Sequence, residues 1–204
     1  MGNRGILHDD QGRLVQPWRH DAWIICRTKW KGRRRSLMTP NRYTELFFLD
    51  EVHALAAGHR PCFECRHEAA VSFRERTGLP NAGAIDRRLA AERLMGRRGQ
   101  RRSERRMRRH REPAHGVPSG SMVLVGHTVF ARRSDGFVVW SQEHPAGYLA
   151  ELSSRARRDA DRLWAIVQSR AHVDVLTPPL SRMALAAGYE PHWHASVDDA
   201  AVIA

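Results

Sequence analysis

Two cysteines separated by two residues are the part of this sequence best suited to do chemistry. Cys62 and Cys65 lie in the stretch RPCFEC, just after Pro61 and at the start of a predicted helix. This spacing lets both sulfur atoms reach one tetrahedral metal ion, and a helix N-terminus favours the thiolate form that binds metal. The pair therefore predicts part of a Zn²⁺ site, with a thioredoxin-like redox pair and two ordinary buried cysteines as the alternatives.

The other ligands of such a site have to come from elsewhere in the chain. Cys26 is the third cysteine and lies within the β-rich run AWIICRT. Histidine is the next ligand type to consider, and His20, His59 and His194 are the candidates for a fourth ligand. We predict a metal site made by Cys62, Cys65, Cys26 and His194.

His194 is chosen because the first motif has a second, altered copy. Residues 184–195 read ALAAGYEPHWHA and repeat 54–65, ALAAGHRPCFEC, with His192 in the place of Cys62. One interpretation is that two short helices end with the same glycine cap and a proline. The other is an internal duplication in which the second copy kept the scaffold, lost the cysteines and supplies His194 to the metal.

An arginine-rich segment carries most of the chain's net charge of +12. Between Arg87 and Arg111 there are 12 arginines and two acidic residues. Such a density favours contact with nucleic-acid phosphates, and the alternative is a solvated, disordered linker. Residues 96–113 contain no aromatic side chain for base stacking, so sequence-specific readout is not predicted. The arginines predicted to bind nucleic acid, either DNA or RNA, are Arg101, Arg102, Arg105, Arg106, Arg108 and Arg109.

The elements that must position these residues form an α+β pattern. Apolar runs at 22–28, 43–49 and 121–141 predict strands, and 172–178 predicts another. Asp50 is a good N-cap for a helix over 51–57, and further helices are predicted over 64–77, 150–168 and 179–187. Residues 96–120 lose apolar periodicity and gain Gly and Pro, which predicts a linker or a mobile loop.

We therefore predict an α+β fold with a small mixed sheet, short helices and a CxxC metal site, followed by a second β-rich α+β half. The predicted boundaries are 1–80, an Arg-rich connector over 81–120, and 121–204. With 204 residues and 42% hydrophobic residues, the chain can bury one good-sized core or two small ones. No apolar run approaches the length of a membrane span, and a cytoplasmic protein is expected.

The stretch NRYTELFFLDEVHALAAGHRPCFECRHE, over 41–68, resembles the zinc-binding module of the Ada DNA-alkylation-repair proteins, and the likeness extends back to about residue 22. The matching positions are Phe47 or Phe48, Ala54, Ala57, Gly58, Arg60, Pro61, Cys62, Cys65 and Arg66. The resemblance implies a DNA-handling module that binds zinc through cysteines.

One departure from that family changes the expected chemistry. The Ada module supplies two further cysteines as Cys-x-x-x-Cys, whereas this chain has only Cys26 upstream. In the family, four thiolates make one cysteine nucleophilic enough to accept a methyl group. Three sulfurs and a histidine carry one negative charge fewer and make a poorer nucleophile, so we expect metal binding without methyl transfer.

The whole chain also resembles a group of uncharacterised bacterial proteins marked by the segments YTELFFLDE and GHRPCFECR. Another marker of that group contains a histidine where this chain has Ala90, in IDRRLAAER. Nucleobase deaminases share the pattern Pro-Cys-x-x-Cys but need an upstream His-x-Glu, and His53 is followed by Ala54 and Leu55.

The function predicted from the sequence is a zinc-binding protein that binds nucleic acid. The alternative is a metalloenzyme, with hydrolase or deaminase-like chemistry, whose zinc site lies between the two halves and uses His192 or His194.

Overall fold

The structure is a computed structural model that describes residues 1–32, 36–95, 106–144 and 147–203. The helices in these ranges are α1 (Glu51–Ala56), α2 (His67–Thr77), α3 (Ala82–Arg93), α4 (Ser154–Gln168) and α5 (Pro179–Ala186). The strands are β1 (Gly2–Asn3), β2 (Ile24–Ile25), β3 (Arg60–Pro61), β4 (Leu94–Met95), β5 (Arg106–Met107), β6 (His110–Pro113), β7 (Met122–Val125), β8 (Thr128–Arg132), β9 (Phe137–Trp140), β10 (His172–Val175) and β11 (Val202–Ile203).

The larger sheet is antiparallel and has the strand order β11-β9-β8-β7-β10-β6. Successive side chains along its central strands point to opposite faces of the sheet, and each face is covered by its own core. On β7 and β8, Val123 and Phe130 belong to the core that contains Leu163 of α4. Their neighbours Met122 and Ala131 belong to a second core. That core includes Val52 of α1, Tyr148 and the C-terminal segment around Val197 and Ala200.

The smaller sheet, β1-β2-β3, carries the cysteine motif and is mixed. β1 is antiparallel to β2, whereas β2 and β3 are parallel. Its core continues into the helices, because Ile25 of β2 packs in one cluster with Phe73 of α2 and Leu89 of α3. The same cluster contains Leu180 and Ala184 of α5. A helix late in the sequence therefore completes the core around the N-terminal sheet.

The structure confirms the predicted α+β class, with a small mixed sheet and a second β-rich part. Asp50 caps α1, where its side chain accepts a hydrogen bond from the His53 backbone N–H at 3.0 Å. The predicted strand over 43–49 is wrong, because only Leu46 forms a bridge there, with Gly2. The side chains of Thr44 and Glu45 instead accept backbone N–H groups of other segments, which holds this stretch without a ladder.

The prediction of a loop over 96–120 is wrong for Arg106–Met107 and His110–Pro113, which form strands, whereas residues 96–105 lie outside the described structure. β5 pairs with β4, and β6 pairs with β10 in full antiparallel register. β6 is an edge strand, which explains why its sequence HREP shows no apolar alternation. The three-part division at 80 and 120 stays a prediction.

In the described ranges, no helix has both the length and the apolar character needed to cross a membrane.

Candidate metal centre

The strand register brings Cys26 and Cys62 side by side. Ile24 pairs with Arg60, and Ile25 pairs with Pro61, in the parallel arrangement of β2 and β3. Cys26 and Cys62 directly follow these two strands, and the Cys62 N–H donates to the Ile25 carbonyl at 3.0 Å. Two cysteines far apart in sequence are therefore held at one end of the small sheet.

A tight turn brings Cys65 back to the same point. The Arg66 N–H donates to the Cys62 carbonyl at 3.0 Å, which closes the turn before α2 begins at His67. The ligand atoms of Cys26, Cys62 and Cys65 all lie within 4.8 Å of one another. Cys62 is buried, the other two are half-buried, and none forms a disulfide.

Hydrogen bonds and burial shift the pKa values of the three cysteine thiols. The pKa of Cys62 is lowered to about 5, first by a hydrogen bond from the Cys26 thiol and then by the backbone N–H groups of Cys65 and Glu64. The Arg27 N–H donates to the Cys65 sulfur at 3.3 Å. The pKa of Cys65 is nevertheless raised by burial, and the pKa of Cys26 is raised far above its usual range because its thiol donates to Cys62. Of the three cysteines, Cys62 is thus the one whose thiolate form is most favoured.

The donor set fits a soft, thiolate-preferring ion. Three sulfurs that all lie within 4.8 Å of one another are close enough to share one tetrahedral ion. Backbone N–H groups on Cys62 and Cys65 stabilise negative sulfur, which is the form that binds metal. This arrangement is able to hold a metal ion.

A cavity of about 720 Å³ adjoins the cysteine group. Cys26 and Cys65 lie on its wall together with His67 and His192. His67 donates its Nδ1–H to the Phe63 carbonyl, 3.0 Å away. His67 is not among the residues predicted from the sequence, although it lies only two residues after Cys65.

His194 does not belong to the group that the three cysteines form. Its backbone N–H donates to Asp50 Oδ2 at 3.2 Å, and its Nδ1 accepts from the Ser196 N–H at 3.2 Å. The imidazole is thus used to begin a short 3₁₀ turn over Ala195–Val197. His20 and His59 are not in the group either, and His59 is fully buried with Nε2 accepting from Arg4 Nε at 3.2 Å.

The predicted nucleic-acid-binding arginines fall partly outside the described structure. Arg101, Arg102 and Arg105 lie outside the described residues, and Arg106 is described only by its backbone in β5. Arg108 and Arg109 have exposed positions after β5, where Arg109 lies 3.9 Å from Asp174 in one loose ion pair.

No protein-family model, curated protein or solved structure matches this chain.

Proposed function

We propose that this protein binds one Zn²⁺ ion through Cys26, Cys62 and Cys65. The observation that carries the proposal is the approach of the three sulfur atoms to within 4.8 Å of one another. Zinc is favoured because it is redox-inert and accepts thiolates in a tetrahedral shell completed by a nitrogen or oxygen ligand. The resemblance to the Ada-type module supports the same ion.

The ion would have a structural role, because its ligands come from separate elements. Cys26 follows β2, Cys62 follows β3, and Cys65 precedes α2. A metal bound by all three ties the parallel strand pair to the helix whose Phe73 fills the N-terminal core. Metal-binding free energy then becomes folding free energy for this part of the chain.

Metal analysis of the purified protein and of single Cys→Ser variants tests this proposal. We expect one zinc per wild-type chain and loss of zinc from the variants at Cys26, Cys62 and Cys65. His20→Ala is the matched control, because His20 is exposed and lies outside the cysteine group. His67→Ala, His192→Ala and His194→Ala then identify a fourth protein ligand. Undiminished zinc in the Cys65→Ser variant would contradict the proposal.

We further propose that the protein binds nucleic acid through its arginine-rich segment. This second function is favoured by the local excess of charge, with 12 arginines against two acidic residues between Arg87 and Arg111. Arg108, Arg109 and Arg111 are exposed, and their only ion pairs within the described structure are the loose contacts of Arg109 and Arg111 with Asp174. These guanidinium groups are thus largely available to phosphate.

A charge-matched pair of variants tests nucleic-acid binding. The first variant changes Arg101, Arg102, Arg105 and Arg106 to Gln. The control changes Arg155, Arg157, Arg158 and Arg162 to Gln, all exposed on α4, and removes the same net charge.

Fluorescence anisotropy with a labelled oligonucleotide, repeated at rising salt, gives the slope of log K against log salt. Each lost phosphate contact should make that negative slope shallower by about 0.7–0.9, and only in the first variant. Equal effects in both variants, or no binding by the wild type at low salt, would contradict this proposal.

A further inference from the structure

A cavity of about 1300 Å³ is lined by residues from the N-terminal segment, from α1 and from β7, β8 and β9 of the large sheet. Its walls combine the segment around Phe47 and Phe48, the α1 residue His53, the strand residue Trp140, and Arg108 beyond β5. No part of the metal centre contributes to it. The cavity is therefore a separate place for a ligand.

The charge of this cavity favours an anion. Arg4, Arg108 and Arg109 line it, and no aspartate or glutamate does so within the described part of the chain. Arg4 is held in place, because its guanidinium stacks 3.8 Å from the Trp23 ring centre and donates to His59. Burial lowers the pKa of Arg4 to about 10, which leaves it charged at neutral pH.

The same cavity exposes apolar and aromatic surface. Phe47 is 61% exposed, and Met95 and Met107 at its rim are also among the exposed large hydrophobic residues. Trp140, at the end of β9, is half-buried and lines the cavity beside them. A ligand that combines a flat apolar group with a negative charge would cover the rings and reach the arginines.

His53, which lines the cavity, has a buried ring nitrogen without a hydrogen-bond partner among the described residues. His53 Nδ1 lies 2.7 Å from Asp50 Oδ1, so the ionised carboxylate fixes the proton on Nδ1. Tyr148 donates to the other oxygen, Asp50 Oδ2, at 2.9 Å. His53 Nε2 is left as a buried acceptor with no hydrogen bond among the described residues. An N–H or O–H group of a ligand would satisfy it.

We propose that this cavity binds one unstacked nucleotide of a single-stranded nucleic acid. The base lies against Trp140 and Phe47, a base N–H donates to His53 Nε2, and the phosphates contact Arg108 and Arg109. Every base carries an N–H donor and a flat ring, so this pocket is tolerant of sequence. A fatty-acid anion would match the charge and the apolar wall but has no donor for His53.

The inference rests on the proposed nucleic-acid binding and names where one nucleotide would bind. The arginine-rich segment supports it, since that segment continues along the chain into β5 and then into Arg108 and Arg109 at the rim. Asp50 and Tyr148 act as positioning residues, because they set the tautomer and orientation of His53.

Three variants of the full chain test the pocket. Phe47→Ala and Trp140→Leu remove aromatic surface, and His53→Phe keeps a ring but removes the acceptor. Trp164→Leu is the matched control, because Trp164 is 42% exposed on α4 and does not line the cavity. Phe47 is exposed outside any helix or strand, so its variant should keep the fold even if the change at Trp140 does not.

The probes are a labelled single-stranded oligonucleotide, followed by anisotropy, and dAMP, adenosine and octanoate, followed by tryptophan fluorescence. We expect about tenfold weaker oligonucleotide binding for the changes at Phe47, Trp140 and His53, and unchanged binding for Trp164→Leu. We also expect quenching by dAMP that exceeds quenching by adenosine or octanoate.

The opposing results separate this inference from the function on which it rests. Oligonucleotide binding by the wild type that is unchanged in Phe47→Ala and His53→Phe would overturn the pocket and leave nucleic-acid binding standing. Octanoate that binds as well as dAMP would also overturn it. No oligonucleotide binding by the wild type at low salt would overturn both.

Discussion

Zinc binding to the metal-free protein at pH 7 should release about two protons per ion, because all three cysteine ligands must be thiolates. Cys62, whose pKa is lowered to about 5, is already ionised at this pH. Cys65 and Cys26 have pKa values raised above the usual range and still carry their protons. The ion must therefore displace two protons and not three.

The same reasoning fixes the pH dependence of affinity. Between pH 6 and 8, the apparent association constant should rise about 100-fold per pH unit, because two protons compete with the ion. Below the pKa of Cys62 a third proton competes, and the rise should approach about 1000-fold per unit.

Two variants separate the roles of the ligands. In Cys65→Ser, the number of protons released per zinc ion should fall from about two to about one. In Cys62→Ser, that number should stay near two although the affinity for zinc falls.

Isothermal titration in buffers of different ionisation enthalpy measures these counts directly, with a competing chelator to bring the affinity into range. The slope of observed enthalpy against buffer enthalpy is the number of protons released. A wild-type value near three would mean that Cys62 is a thiol in the metal-free protein. A count that falls in Cys62→Ser but not in Cys65→Ser would refute the assignment of the pre-formed thiolate.

Three further predictions concern the fold. In a buried ion pair, Arg60 Nε and Nη2 donate to the two carboxylate oxygens of Asp86 at 2.7 and 2.8 Å. Asp86→Asn breaks this pair and should lower the free energy of unfolding in urea by about 3–5 kcal/mol. A loss under about 1 kcal/mol would contradict a desolvated pair. Phe73→Ala, at a fully buried position, should lower it by about 3–5 kcal/mol, and Phe47→Ala, the exposed control, should leave it nearly unchanged. Burial would raise the pKa of Asp50, yet hydrogen bonds from His53 and Tyr148 lower it overall. The stability that ionised Asp50 contributes is therefore complete above about pH 4 and is lost as pH falls through the lowered pKa. Asp50→Asn should flatten the dependence of the unfolding free energy on pH between pH 5 and 2, and an unchanged acid profile would contradict this.

The pairing of Cys62 with Cys65 could be predicted from the sequence because its geometry is local. Cys62 and Cys65 are three positions apart, and Asp50 and Gly58 mark the ends of α1 by capping rules alone. The position of Cys26 was not readable in this way. It depends on the parallel register of β2 and β3, which no local pattern specifies, because parallel strands pair through a long connection.

Charge counting along the chain also overstated how much of the basic segment faces solvent. Arg93 belongs to the arginine-rich run, yet it is fully buried, stacks 3.8 Å from the Trp23 ring centre and donates to the Gly58 carbonyl at 2.9 Å. Arg88 forms an ion pair with Glu92 one helical turn away. Both arginines lie on α3, where Arg93 packs into the core and Arg88 pairs within the helix, and this helix was not predicted from the sequence.

The cavity was invisible to motif reasoning because its parts come from distant segments. Arg4, His53, Arg108 and Trp140 meet only after both sheets and α1 are assembled. The spacing of Asp50 and His53 was present in the sequence as an N-cap with a residue one turn later. The same two residues also fix the orientation of the His53 imidazole, and this arrangement depends on Tyr148, far along the chain, which donates to Asp50.

X-ray absorption at the zinc edge of the protein as purified is the measurement that tests the metal centre most directly. Three sulfur neighbours at about 2.3 Å and one nitrogen or oxygen neighbour are the result expected for Cys26, Cys62 and Cys65 around one ion. A protein without zinc, or a zinc ion with fewer than three sulfur neighbours, would contradict the account.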